Sequence, residues 1–200
     1  MIVLQHNCAG VGQVVVAAME SGVEIGADLI LLQEEKRGKD RMRSHGAFRW
    51  IGDERRRTRA AVRVTSNIEV NDQSAIAGPE AATDIQVLDI RMGSGEMIWV
   101  VNVYDQARSR KDRTRPCQQA DWKRIMNFPV GGIVVAGDMN AHSPVWNGRA
   151  KHRSSAAPFW ENLIEENNLE IQNSKEATKY DRQCHSIIGL TFREELICSG

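Results

Sequence analysis

Ile133-Val134-Val135-Ala136-Gly137-Asp138-Met139-Asn140-Ala141-His142-Ser143 is the stretch on which the fold turns. Its first four residues are apolar and mostly β-branched, the composition of a short strand buried on both faces. Gly131-Gly132 stand before it and Gly137-Asp138 after it, so turn formers bound the run and a polar loop leaves its carboxyl end. Residues 29–32, Leu-Ile-Leu-Leu, repeat the pattern and run into Gln33-Glu34, and residues 2–5 repeat it more weakly and run into His6-Asn7.

Between these strands the hydrophobic spacing is helical over residues 14–21, where Val14, Val15, Ala18 and Met19 can share a face. Two further helices are expected at 118–127, closed by Phe128-Pro129, and at 157–167, with Pro158 in the first turn. Residues 85–90 alternate, with Ile85, Val87 and Asp89 on one side and Gln86, Leu88 and Ile90 on the other. Gly93-Ser94-Gly95 joins them to a strand at 97–103 in a hairpin. Residues 48–51, 60–64, 169–171 and 186–192 are the remaining strand candidates, while 33–45 and the basic stretch 107–116 read as loops. Alternating strands and helices without repeat or linker predict one α/β (α+β) domain over residues 1–200, with a partly antiparallel sheet.

Composition narrows the function classes. Lys plus Arg and Asp plus Glu both number 26, so the chain is not a strongly basic nucleic-acid coat, although a local basic patch remains open. The cysteines Cys8, Cys117, Cys184 and Cys198 form no C-x-x-C pair. They read as reduced thiols of an intracellular protein, nuclear or cytoplasmic rather than secreted. Nowhere do about 18 apolar residues run together, so no membrane span is expected. The first residues lack a basic start and carry Gln5, His6 and Asn7 where a secretory signal would be apolar.

Three polar positions follow apolar strands at their carboxyl ends: Asn7, Glu34 and the Asp138/Asn140 pair. Such ends converge on one edge of an α/β sheet, where ligands bind. Carboxylate and amide oxygens placed there suit Mg²⁺, with Mn²⁺ as a substitute, and such an ion suits phosphodiester hydrolysis. Taken singly each has a plainer reading: Asn7 a turn cap, Glu34 a solvated charge beside Glu35, Asp138-x-Asn140 a common turn composition. Gly10-x-Gly12 lacks the third glycine of a dinucleotide fingerprint, since Val15 stands there, so no small-molecule cofactor is expected.

Residues 137–143 resemble the G-D-x-N-A-H-S signature of the endonuclease/exonuclease/phosphatase superfamily. With Pro144 and Trp146 they are similar to its branch in non-LTR retrotransposons, notably fungal ones. Leu4-Gln5-His6-Asn7, Leu31-Leu32-Gln33-Glu34 and Val101-Asn102-Val103-Tyr104 resemble the other ordered motifs of that family, and the likeness runs from residue 2 to residue 192. The resemblance implies a DNase I-like four-layer sandwich, two mixed sheets face to face with helices outside. It implies a Mg²⁺-dependent DNA endonuclease, associated with reverse transcriptase. Glu34 would be a direct metal ligand with Asn7 beside it. Tyr104 would face the phosphate, Asp138 would activate or position water, and Asn140 would orient the scissile phosphate. His142 belongs to the extended motif, with a structural hydrogen bond as its expected role.

The sequence departs from the family at three places. Gly189 stands where the late motif has aspartate, Glu35 where the branch has proline, and no terminal S-D-H follows Phe192. These departures lead to the expectation of a C-terminally incomplete, impaired domain. A catalytically dead relic that at most binds, or a phosphatase of small phosphorylated substrates, stand as the alternatives. Two arginine-rich runs, Arg55 to Arg59 and Arg108 to Arg115, read as solvated surface or as contacts to a DNA backbone, with Arg110, Lys111 and Arg113 the favoured contacts. Of the five tryptophans, Trp146 alone is expected as a possible DNA contact, being next to the Asp138 loop; the others are expected in the core.

Overall fold

The computed structural model describes residues 1–35, 42, 44–81, 83–106, 114–127, 131–148, 150–172, 179–180, 185–186 and 189–194. The chain opens with β1 (Val3–Asn7), α1 (Gly12–Glu24) and β2 (Leu29–Gln33), then β3 (Phe48–Ile51) and β4 (Thr58–Arg63). Strand β5 (Ile68–Asp72) precedes the hairpin β6 (Ile85–Met92) and β7 (Met97–Tyr104). After α2 (Trp122–Met126) come β8 (Ile133–Asp138), α3 (Ala157–Glu166) and β9 (Leu169–Ile171). The described chain closes with the short pair β10 (Lys179–Tyr180) and β11 (His185–Ser186), and with β12 (Gly189–Glu194).

These strands form two mixed sheets, ordered β1-β2-β4-β3 and β5-β6-β7-β8-β12-β9. Each sheet contains one parallel pair, β1 with β2 and β7 with β8, among antiparallel neighbours. Three apolar clusters fill the gaps between four layers. Leu29, Leu31, Ala60 and Val62 of the first sheet meet Val70, Leu88, Ile90 and Val100 of the second in the central core. Helix α1 lays Val15, Ala18 and Met19 against Ile30, Leu32 and Ala61 on the outer face of the first sheet. Trp122, Ile125, Trp160 and Leu163 from α2 and α3 cover Val87, Val101, Val103 and Val135 on the outer face of the second. The four-layer DNase I-like sandwich expected from the sequence is therefore the observed one.

The local sequence explains these placements. Val15, Ala18, Met19 and Gly22 are the buried residues of α1, spaced for one helical stripe. In β7, Trp99, Val101 and Val103 point to the outer core and Val100 to the central one, so the strand is apolar on both faces up to the polar Asn102. The expected alternation of β6 holds: Ile85 and Val87 face outward, Leu88 and Ile90 inward. Gly137 has φ +145°, and a Cβ there would stand 2.0 Å from the Val103 carbonyl oxygen, so only glycine lets β8 lie this close to β7.

Several boundaries differ from the sequence reading. The helix expected at 118–127 is a one-turn 3₁₀ segment, Pro116–Gln119, followed by α2, which Asp121 caps by accepting the Arg124 N–H at 3.0 Å. The expected loop at 33–45 begins one residue later, since Gln33 still belongs to β2. β5 had no counterpart in the reading, and β12 begins at Gly189 rather than at 186.

Polar side chains also join the sheets. Gln33 accepts from Gln5 Nε2 at 2.6 Å and donates to Asn102 Oδ1 at 2.6 Å. Asn102 Nδ2 reaches across to the Leu32 and Arg59 carbonyls, each at 3.2 Å. Gln86 Nε2 donates to the Ile51 carbonyl at 2.9 Å. Replacing Asn102 by Leu would strand the Gln33 amide and remove the second hydrogen bond at the Leu32 and Arg59 carbonyls. The expected loss is about 2–4 kcal/mol; urea unfolding checks it, and a loss under about 0.5 kcal/mol, the range of neutral surface substitutions, would contradict the bridging role.

Candidate active site

The carboxyl ends of the two parallel pairs meet at one edge of the sandwich. Asn7 is in register with Gln33, and Tyr104 with Asp138. Past the strand ends the ladder continues: Cys8 N–H donates to the Gln33 carbonyl at 2.8 Å and Gly10 N–H to the Glu34 carbonyl at 2.7 Å. The two edges are joined where Asn7 Nδ2 donates to Asp138 Oδ2 at 2.5 Å. Asn7 Oδ1 accepts the Ala9 N–H at 2.8 Å, and Asp138 Oδ1 accepts the Asn140 N–H at 2.9 Å. The turn-cap reading of Asn7 and Asp138 is met by these bonds, and the same two side chains join the strand edges.

Backbone strain gathers at this edge. Ala9, Glu34 and Asn140 hold φ of +47°, +50° and +45°, and only Asn168, at a helix end, shares this among described non-glycine residues. Left-handed backbone at side-chain-bearing residues costs of order 1–3 kcal/mol each and persists where surroundings over-determine it. Here it turns the chain sharply after β1, β2 and β8.

Tyr104 lies among the acids. Burial pushes its phenol well above the ordinary value, a hydrogen bond to Glu34 and the charges of Glu34 and Asp138 add to the shift, and Arg57 opposes it. The phenol is a fixed donor at any physiological pH. Burial also pushes the Cys8 thiol up to about 12, with the charges of Glu35 and Glu34 adding. Cys8 and Cys117 are both buried free thiols, while Cys184 and Cys198 fall outside the described residues.

Arg57 is the site neighbour that the sequence reading did not single out. Its Nη1 donates to Gln106 Oε1 at 3.1 Å, its Nε stands 3.6 Å from the buried Asp84, and its guanidinium lies 6.0 Å from the Tyr104 ring centre. The run from Arg55 to Arg59, expected as solvated surface or DNA contact, splits into separate roles. Arg55 is exposed and pairs with Asp53, Arg56 donates to the Ile85 carbonyl at 2.8 Å, and Arg59 is buried. Only the alternation of β4, with Ala60 and Val62 inward, could have warned that Arg59 faces a packed surface.

Beyond Asp138 the loop is tied to α3. His142 N–H donates to Ser154 Oγ at 3.0 Å and its carbonyl accepts the Ser154 N–H at 2.9 Å, so its backbone is what the structure fastens. Ser143 Oγ donates to Glu161 and Arg153 pairs with the same carboxylate. Trp146, the expected exception among the tryptophans, is a correction: it is buried in the outer core with Nε1 donating to the Ala141 carbonyl at 3.2 Å. A ring enclosed in that core offers no face to a base. Arg110, Lys111 and Arg113 lie outside the described residues.

The segment that carries those three residues starts and ends on one buried carboxylate. Asp105 Oδ2 accepts from Gln118 Nε2 at 2.7 Å and Trp160 Nε1 at 2.8 Å, and lies 3.4 Å from Arg115 Nη1. Asp105 Oδ1 has no partner among the described residues.

Glu34, Asp138, Asn7 and Asn140 offer oxygen donors of the kind hard cations take, although no group of three or more His, Cys, Asp or Glu among the described residues forms a cage. That donor set fits Mg²⁺, which commonly takes one or two carboxylates and completes its shell with water and substrate phosphate.

A family model described as endonuclease-reverse transcriptase matches residues 98–198, half of the chain. The chain belongs to the endonuclease/exonuclease/phosphatase superfamily. No curated protein matches it. Among solved structures, it is similar to the endonuclease domain of TRAS1, a telomere-specific non-LTR retrotransposon, at 20% identity and TM-score 0.73, covering 95% of this chain and 82% of that one. It is also similar to mannosyl-6-phosphatase Bt3783 of Bacteroides thetaiotaomicron, at 13% identity and TM-score 0.62, covering 97% and 85%. An AP endonuclease from Archaeoglobus fulgidus matches at 16% identity and TM-score 0.55, covering 96% and 86%. At such identities these likenesses carry the superfamily fold alone. Among the described residues, no helix is long and apolar enough to cross a membrane.

Burial raises the Asp105 carboxyl above its usual range, against the lowering pulls of Arg115, Gln118 and Trp160. The folded chain therefore holds that proton more tightly than the unfolded one. The cost of the buried charge is fully present above the raised pKa and is relieved as pH falls toward about 4, the unfolded value. Relative to Asp105→Asn, the wild type should gain stability in thermal melts as pH falls from neutral toward about 4. Parallel curves for both proteins would contradict this.

Proposed function

We propose that this chain is a metal-dependent phosphodiesterase that cuts DNA as an endonuclease, with turnover lowered by Gly189. The observation that carries the reading is the Asn7–Asp138 hydrogen bond, at 2.5 Å, which closes two strand edges into one acidic site beside Tyr104. A Mg²⁺ or Mn²⁺ ion held by Glu34 would supply electrostatic stabilisation of a phosphoryl oxygen. Asn7 fixes the orientation of Asp138, whose carboxylate can accept a proton from an attacking water. Asn140, on its left-handed turn, presents an amide that can orient the scissile phosphate. Tyr104, kept protonated, can donate to a phosphate oxygen, and Arg57 adds positive charge on the same side.

Support for DNA comes from the endonuclease-reverse transcriptase family that the chain matches and from the solved structures it resembles, which include D. rerio TDP2 complexed with a single strand DNA product. The basic residues Arg110, Lys111 and Arg113 are placed by sequence between Asp105 and Arg115, next to Tyr104, where contacts to a phosphate backbone would position substrate.

A second reading, a domain that binds but barely turns over, is favoured by one observation. Gly189 is the register partner of Asp138, so the position at which the resemblance calls for aspartate borders the proposed base and holds none.

Nicking of supercoiled plasmid with Mg²⁺ or Mn²⁺ tests both readings. Glu34→Ala and Asp138→Ala should each lower the rate by about 10²–10⁴-fold, the range for a lost acid–base or charged partner. Gly189→Asp should raise it by at least about tenfold, about 1.4 kcal/mol of barrier. Nicking that survives both alanine variants would remove the site from the mechanism. A folded wild type that binds DNA without nicking it would leave the binding-only reading.

A further inference from the structure

We propose that the buried Glu35–Arg59 ion pair, stacked on Trp50, is a positioning device that sets the Glu34 carboxylate. The proposal rests on the reading of Glu34 as a site ligand. Arg59 Nη1 donates to both carboxylate oxygens of Glu35, at 3.0 and 3.1 Å, and to the Met42 carbonyl at 3.1 Å. The side chains are 1% exposed for Glu35 and 7% for Arg59, and the guanidinium lies 3.7 Å from the Trp50 ring centre. The ion pair falls on the outer face of the first sheet, where Arg59 is in register with Leu32 and Trp50 packs against the cluster under α1.

A buried ion pair contributes little net stability, because desolvating two charges offsets their attraction. Its value here is directional. Glu34 stands in the left-handed region at φ +50°, a conformation that its own side chain does not favour. The chain is held on both sides of that residue: by the β2 ladder at Gln33, and by Glu35, whose carboxylate is clamped to the opposite face of the sheet. With Glu35 fixed outside, Glu34 is turned toward Tyr104 and the cleft, as its hydrogen bond with that phenol records. Arg59 couples the clamp to the second sheet as well, since its carbonyl accepts from Asn102 Nδ2 at 3.2 Å. Glu35 and Arg59 touch no reacting atom; they act through Glu34.

Removing one partner would bury a lone charge and risk unfolding, so the informative variant removes both. Glu35→Leu with Arg59→Met keeps the volume and leaves no charge behind. The readouts are the thermal midpoint, hydrogen exchange at the Gly10 amide in metal-free protein, and Mn²⁺ affinity by electron paramagnetic resonance, with Mn²⁺ alone as the probe. Gly10 N–H donates to the Glu34 carbonyl, so its exchange reports the turn itself without any metal. The double variant should melt within a few degrees of the wild type, exchange at Gly10 at least tenfold faster, and bind Mn²⁺ at least tenfold more weakly. A folded double variant whose Gly10 exchange stays within twofold of the wild type overturns the proposal. A wild type that binds no Mn²⁺ sinks the metal reading instead, and the Gly10 exchange then decides the positioning claim by itself.

Discussion

The sandwich depends on polar hydrogen bonds that cross between its two sheets. An apolar interface alone would let the sheets settle at more than one offset, because hydrophobic contact is non-directional. The chain Gln5–Gln33–Asn102, ending on the Leu32 and Arg59 carbonyls, permits one offset only. Every link of it is buried or half-buried, so a slip would leave amides without partners in a region that water does not reach. The same offset brings Asn7 to Asp138, residues that the chain separates by 131 positions. Architecture and site are therefore consequences of one alignment.

Parallel pairing explains where the candidate site lies. Each sheet holds one parallel pair, and parallel strands place their carboxyl ends on the same edge. Asn7 and Glu34 leave one such edge, Tyr104 and Asp138 the other. Left-handed backbone at Ala9, Glu34 and Asn140 then turns the chain sharply just past each strand end. Strain of this kind needs a rigid support, and β2, buried along its whole length, and β7, buried from Trp99 onward, supply it. The close approach of β7 and β8 at Gly137 belongs to the same geometry, since it sets Tyr104 beside Asp138.

Much of this was legible in the sequence wherever burial is two-sided. The apolar runs at 29–32, 97–103 and 133–136 announced their strands, and polar residues at their ends announced the edge. Strand β5 was not legible, because an edge strand with only Val70 fully buried shows too little alternation. The helix expected at 118–127 shrank to α2, because Pro116 and the Asp121 cap divide that segment into separate turns. Arg59 and Trp146 were misread for a common reason. A side chain's class says how it meets water on average, not which face its strand or loop presents, and both are enclosed by partners far away in sequence. Glu35 had the same ambiguity: as one of two adjacent glutamates it looked solvated, and only the fold supplies Arg59.

The proposed function requires that Glu34 and Asp138, leaving different sheets, frame one cation site. Anomalous diffraction from crystals soaked in Mn²⁺ tests it directly. The prediction is one strong peak at the strand edge, about 2.0–2.2 Å from a Glu34 carboxylate oxygen, the range of carboxylate–metal contact for small divalent cations, and absent in Glu34→Gln crystals. A peak at another place on the surface that persists in the variant, with none at the edge, would contradict it.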